Sequence, residues 1–328
     1  MARENSYRSD AQPRSPRGRK PEGFHGERAL ELLRLTGKAY VDYFEQRFGG
    51  DASLWEPRSG VEKYGRYRPG ALPSSYRLDL RITWQAGRQR VPIGFLIHSR
   101  NESFLVFRGT VSEQEWFKDV QVAQRERTFD LGGETETVGL HTGFDKIYES
   151  LEPHPSDLIG RLESRRLFVT GHSLGGALAT LAALRLSPVR PELYTFASPR
   201  VGDGRLARLC RRHLAAGYRV FNQWDPVVET PDADLDLIVR RYRYEHVGEA
   251  IRLYSLTQID GESIAELVAG GVDLKSYILM GKRPDLLFAH QLRTYEYALL
   301  KYMHRLPGQR RSLAMRLRSF LGLGSRST

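Results

Sequence analysis

The sequence holds a single cysteine, Cys210, among 328 residues, so no intrachain disulfide can form and a disulfide-stapled secreted enzyme is excluded. It has no run approaching the roughly 18–20 uninterrupted apolar residues of a membrane-crossing helix, and its N-terminus lacks an apolar export core. No internal repeat is visible. A soluble, cytoplasmic protein is therefore the expectation, with Cys210 an ordinary thiol. Positive charge is also scarce where a nucleic-acid enzyme would need it. The net charge is +11, yet residues 1–20 hold six bases against two acids, and six arginines with no acid run from Arg305 to the end. Residues 21–304 are left at about +1, without the basic stripe that nucleic-acid binding requires. No nucleic-acid partner, metal or cofactor is expected, and the oligomeric state is not readable.

What is present suits one large core, with 40% hydrophobic residues. Residues 1–24 are polar, basic and rich in Pro, Ser and Gly, which predicts a disordered tail. One folded domain is expected over 25–304, followed by a second tail over 305–328. A helix starts near Glu27, since Leu30, Leu33, Ala39, Tyr40, Tyr43 and Phe44 recur at three- and four-residue steps. From Tyr76 the period becomes two: Tyr76, Leu78, Leu80, Ile82 and Trp84 alternate with polar residues, as in a half-solvated antiparallel strand. Short continuous apolar runs at 93–97, 104–107, 167–170, 193–196 and 218–221 suit strands covered on both faces. Helical patterns over 143–163 and 174–186 lie between several of them. The fold class this implies is α/β: a mainly parallel central sheet with an antiparallel start and helices on both faces.

The chemistry centres on LFVTGHSLGGALATLA at 167–182, where a strand runs into a helix with GHSLG at the junction. That is the context of the nucleophile elbow of an α/β-hydrolase, and it singles out Ser173. The turn is sharp enough to strain the serine backbone, and Gly171 and Gly175 remove side chains that would collide there. A nucleophile at a helix N-terminus also lies where free amides favour negative charge. His172 is adjacent in sequence but points away at such a turn, and a structural role is expected for it.

The acid and base follow the serine in chain order, on loops at the carboxyl ends of later strands. Asp225 directly follows the strand YRVFN and is stiffened by Pro226, so it is the expected acid; Asp203, Asp232, Asp234 and Asp236 read as capping or solvated. Two histidines compete for the base. His290, ahead of the helix LRTYEYALLKYM, is preferred over His246, in the turn before AIRLYSL, because a base needs a mobile loop from which both ring nitrogens reach partners. His141 reads as structural. For an oxyanion hole, the amide of Leu174 is the first donor, and the turn after FLVFRGT offers Thr110 as the second. The following VSEQEWFKDV places Trp116 and Phe117 in a short amphipathic segment, a candidate lid or a core-packing helix.

With these residues in view, the chain resembles the fungal-type class 3 lipases, a triacylglycerol lipase family of the α/β-hydrolase superfamily. The resemblance runs from about residue 90 to 300. It is carried by VFRGT, HTGF at 141–144, VTGHSLGGALATLAA, YTFASPRVGD, RVFNQWDPV, HVG at 246–248 and the late His290. It implies Ser173, Asp225 and His290 as a triad, Thr110 and Leu174 as oxyanion donors, and a lid over 111–119. Ala289 departs from the Asp that many members carry before the histidine. The implied activity is cleavage of carboxylic esters of lipids, with a lipid or other ester as the partner. The rival, from a different class, is a catalytically idle lipid-binding or scaffold protein on a lipase fold. Finally, Leu313, Leu317, Phe320 and Leu321 form an apolar stripe among arginines, an amphipathic helix suited to peripheral contact with an anionic membrane.

Overall fold

The computed structural model of the chain describes residues 22–48, 74–86, 88–110, 123–131, 133–162, 165–236, 241–254 and 289–304. Residues 1–21, the whole of 305–328 and the expected lid with Trp116 and Phe117 lie outside the described residues. Helix α1 (Gly26–Phe48) carries the apolar stripe its spacing implies, with Leu30, Leu33 and Ala39 buried. The period-two segment forms β1 (Arg77–Ala86), antiparallel to β2 (Gln89–His98), which is antiparallel to β3 (Glu102–Phe107). Strands β4 (Gln124–Asp130) and β5 (Thr135–His141) make a separate ribbon, and β6 (Leu151–Glu152) closes the sheet edge against β1.

Beyond β3 the pairing turns parallel. Strand β7 (Arg166–His172) joins β3, β8 (Glu192–Phe196) joins β7, and β9 (Ala216–Asn222) joins β8. A small ribbon of β10 (Asp234–Asp236) and β11 (Arg241–Arg243) precedes β12 (Glu249–Leu253), which pairs parallel with β9. The eight-stranded order is β12-β9-β8-β7-β3-β2-β1-β6, so β7, which leads into Ser173, is central. Its residues after Arg166 are all buried, because helices cover both faces. One face packs α2 (Thr142–Glu149), α4 (Leu174–Arg185) and α5 (Gly204–His213); the other packs α1 and the last helix, α6 (Leu292–His304). The expectation of a mainly parallel sheet with an antiparallel start and helices on both faces holds.

The single helix expected over 143–163 is broken. After α2 the chain makes β6, a 3₁₀ turn at Pro155–Leu158 and a one-turn helix, α3 (Ile159–Leu162). Pro153 and Pro155 are the cause, since proline lacks the amide a helix interior needs and its ring meets the preceding turn.

His141 has the structural role expected of it. Its Nδ1 accepts from the amides of Gly143 at 3.2 Å and Phe144 at 3.3 Å, capping α2. A ring that accepts there is neutral, and burial pushes its pKa down to about 4. In the unfolded chain the ring takes a proton near 6.5, so stability falls as pH drops from 6.5 to about 4 and levels off below, a loss of roughly 3 kcal/mol. We expect His141→Asn, which keeps a capping acceptor without titrating, to flatten the urea-unfolding free energy between pH 6.5 and 4.5. Equal slopes for the two proteins would contradict this assignment.

Candidate active site

Ser173 is the single residue between β7 and α4, and its backbone sits at φ 58 and ψ −127. A non-glycine residue there costs about 1–3 kcal/mol, so the surroundings must enforce it. They do so by close approach. A methyl group on Gly171 would overlap the Gly175 carbonyl oxygen, and one on Gly175 would lie 2.5 Å from the Phe107 carbonyl oxygen. The Ser173 amide donates to the Phe196 carbonyl at 3.0 Å, tying the turn to β8. Serine at a helix N-cap ordinarily accepts from the first turn, but the Ser173 side chain makes no such bond. Its hydroxyl is therefore not spent on the helix. Leu174 follows as the first helical residue, where amides lack intrahelical partners and the dipole is positive.

Asp225, three residues past the end of β9, is 1% exposed, yet three donors surround its carboxylate. Oδ1 accepts from the Val227 amide at 2.9 Å; Oδ2 accepts from His290 Nδ1 at 2.8 Å and from the Tyr295 hydroxyl at 2.7 Å. With Nδ1–H donating to the carboxylate, His290 keeps its lone pair on Nε2, the arrangement a general base needs. Burial and the Asp225 charge hold the Tyr295 phenol well above its ordinary pKa, so it stays a donor. Its oxygen also accepts from the Asn222 amide at 3.0 Å, while the Asn222 side chain donates to the Ala289 carbonyl at 3.2 Å.

The mobile loop expected for the base is instead a 3₁₀ turn ahead of α6, and His290 is fully buried there, held by Asp225 and by its backbone. The rival His246 stays outside this cluster; burial and the nearby Arg219 and Arg200 push its pKa down to about 2. Asp203 caps α5 through the Arg205 and Leu206 amides at 3.0 and 3.1 Å, and Asp232 and Asp234 are exposed.

His172 joins distant parts of the site. Its Nε2 lies 2.7 Å from the His290 carbonyl, which only accepts, so Nε2 carries the proton and Nδ1 accepts from the Tyr40 hydroxyl at 3.0 Å. The Tyr40 oxygen in turn accepts from the Gly109 amide at 2.9 Å. Burial first, and His290 second, keep this imidazole neutral by lowering its pKa well below the usual range. The Arg108–Thr110 segment leans on Ser173: a methyl on Gly109 would be 2.9 Å from Ser173 Cβ. The Thr110 hydroxyl oxygen is buried with no hydrogen-bond partner among the described residues.

Sequence reasoning missed Tyr40, Asn222 and Tyr295. Tyr295 had a signal, lying five residues after His290 on the helix that carries the base forward. Tyr40 had none beyond its place on the apolar stripe. Among the described residues, no group of three or more His, Cys, Asp or Glu is placed to hold a metal ion. We expect Tyr295→Phe to lower the unfolding free energy by about 1–3 kcal/mol, because it strands the Asn222 amide and removes a donor from a buried carboxylate. Unchanged denaturant unfolding would show that the hydroxyl does not hold the acid.

Residues 104–235 match the family described as Lipase (class 3). A secreted mono- and diacylglycerol lipase 1 of Fusarium solani is 34% identical over 140 residues, 41% of this chain and 40% of that protein. A secreted mono- and diacylglycerol lipase A of Penicillium cyclopium is 30% identical over 165 residues, 49% of this chain and 52% of that protein. The solved native propeptide complex of Rhizomucor miehei lipase has 21% identity and a TM-score of 0.46, with 70% of each chain covered. The chain thus spans about half the length, or less, of these two curated relatives. The secreted relatives overturn the cytoplasmic location expected from the sequence. A lone thiol forbids an internal bridge, but export does not require one, so Cys210 never bore on the compartment. Over residues 104–235 the chain is similar to the class 3 lipase family.

Proposed function

We propose that the protein is a serine hydrolase that cleaves carboxylic ester bonds of lipids through an acyl-enzyme on Ser173. The observation that carries this reading is the buried His290–Asp225 hydrogen bond of 2.8 Å, with the His290 carbonyl in turn held by His172, the residue beside a strained serine. The class 3 lipase match over 104–235 supports the lipid ester as substrate.

In this mechanism His290 Nε2 takes the Ser173 proton as Oγ bonds to the ester carbonyl carbon, and the carbonyl π pair moves onto oxygen. The amides of Leu174 and Thr110, with the Thr110 hydroxyl, receive that oxyanion. Collapse expels the alcohol, which takes the proton from His290 and leaves the acyl group on Oγ. Water repeats the sequence and releases the carboxylic acid. Asp225 holds the imidazole in the tautomer this needs. Trp116 and Phe117 remain the proposed lid on sequence grounds. The segment around Leu313, Leu317, Phe320 and Leu321 is likewise proposed as an anionic-membrane contact.

We expect a fluorophosphonate probe to label the wild type and not Ser173→Ala. Turnover of a lipid ester panel should fall about a millionfold in Ser173→Ala, by somewhat less in Asp225→Ala, and no further in the double variant. An idle lipid-binding scaffold would give neither labelling nor turnover. Additive losses would contradict a triad acting as one unit. Truncation after Leu306 should weaken binding to anionic liposomes; unchanged binding would remove the membrane contact.

A further inference from the structure

Arg108 is 3% exposed, and its burial is unusual in what it meets. Among the described residues it has no carboxylate partner: Nε donates to the Pro92 carbonyl at 2.8 Å and Nη1 to the Gly109 carbonyl at 2.6 Å. The Tyr43 ring faces the guanidinium carbon at 4.0 Å. Burying a cation against neutral groups alone is costly, and such departures from local optimum concentrate at functional sites. Burial lowers the guanidinium pKa only to about 10, so the charge is present at neutral pH.

The carbonyl that Arg108 holds is one end of a peptide group whose other end is the Thr110 amide. A cation drawing electron density toward the Gly109 oxygen makes the amide proton a stronger donor, because hydrogen bonds along a chain polarise one another. The preceding Gly109 amide is fixed by the Tyr40 hydroxyl at 2.9 Å, so this turn is clamped from both sides. It lies against the nucleophile, with Ser173 Cβ 2.9 Å from where a Gly109 methyl would be.

We infer that Arg108 is a positioning residue that polarises the Gly109–Thr110 peptide, so that the Thr110 amide stabilises the oxyanion more strongly than an ordinary amide would. This rests on the proposed reading of Thr110 as an oxyanion donor. Arg108 touches neither substrate nor reacting atoms; it acts through the peptide bond, and most when negative charge develops on the carbonyl oxygen. The loss it prevents should therefore fall on turnover rather than on substrate binding.

The sequence allows a direct test, because Gly109–Thr110 is the single Gly-Thr pair in the chain. Labelling the full-length protein with carbonyl-13C glycine and 15N threonine gives one amide-to-carbonyl correlation by NMR. We expect the wild-type Gly109 carbonyl carbon downfield of the ordinary glycine range. In Arg108→Gln it should move upfield while kcat falls about tenfold and KM stays nearly unchanged. Arg108→Lys, which keeps a cation beside the carbonyl, should recover most of both. The inference is overturned if the wild-type carbonyl is unpolarised, a measurement that needs no variant to fold. It is also overturned if Arg108→Gln loses turnover with the carbonyl unmoved, which would mark a purely structural arginine. Failure of the hydrolase reading looks different: the wild type would be unlabelled by fluorophosphonate and inactive while its carbonyl still shifted.

Discussion

The one-residue bend at Ser173 is the constraint that organises the rest. To place a hydroxyl above the central strand, the chain must leave β7 and enter α4 with a backbone conformation that costs energy at a serine. That cost is offset by packing that leaves no alternative. The carbonyl groups of Phe107 and Gly175 come so near that no side chain fits at 171 or 175, and every residue of α4 before Arg185 is buried in one core. The helix runs through small residues because it must lie close to the sheet whose strand it continues. The Ser173 conformation is thus a product of sheet packing, and the same contacts that stabilise the fold fix its geometry.

Around that bend the protein buries polar groups instead of avoiding them, and the cluster is tolerable because its members complement one another. The Asp225 carboxylate meets three donors. His172 is neutral, and each of its ring nitrogens has a single consistent role, one accepting and one donating. In a low-dielectric interior an unpartnered group of this kind costs far more than in water, while a satisfied network is stiff. Stiffness suits the proposed acyl transfer, where donors and base must be in place before charge develops.

Local signals made much of this legible in the sequence. The strand, GxSxG turn and small-residue helix marked Ser173, and a proline-stiffened aspartate after a buried strand marked Asp225. The change of period at Tyr76 marked the antiparallel start of the sheet. Legibility failed where the cause was not local. The 143–163 segment carries helical periodicity, but Pro153 and Pro155 outweigh it. Tyr40 reads as one more apolar position on α1, because its hydroxyl acquires meaning only when Gly109 and His172 arrive from elsewhere. His290 was chosen for loop freedom, whereas its placement comes from a docked helix and a buried bond. The cytoplasmic expectation failed because it rested on absences, a missing disulfide and missing apolar runs, that do not fix a compartment.

The bridge through His172 ties together residues 40, 109, 172 and 290, from the first described helix to the turn before the last. A network closed by segments so far apart in the chain cannot assemble piecemeal, and long-range closure of this kind is slow to reach. During synthesis the Ser173 bend emerges well before the His290 imidazole and Tyr295 phenol that complete its surroundings. On the proposed reading the protein therefore leaves the ribosome chemically silent, and its reactivity begins only once its two distant helices have seated against the same face of the sheet.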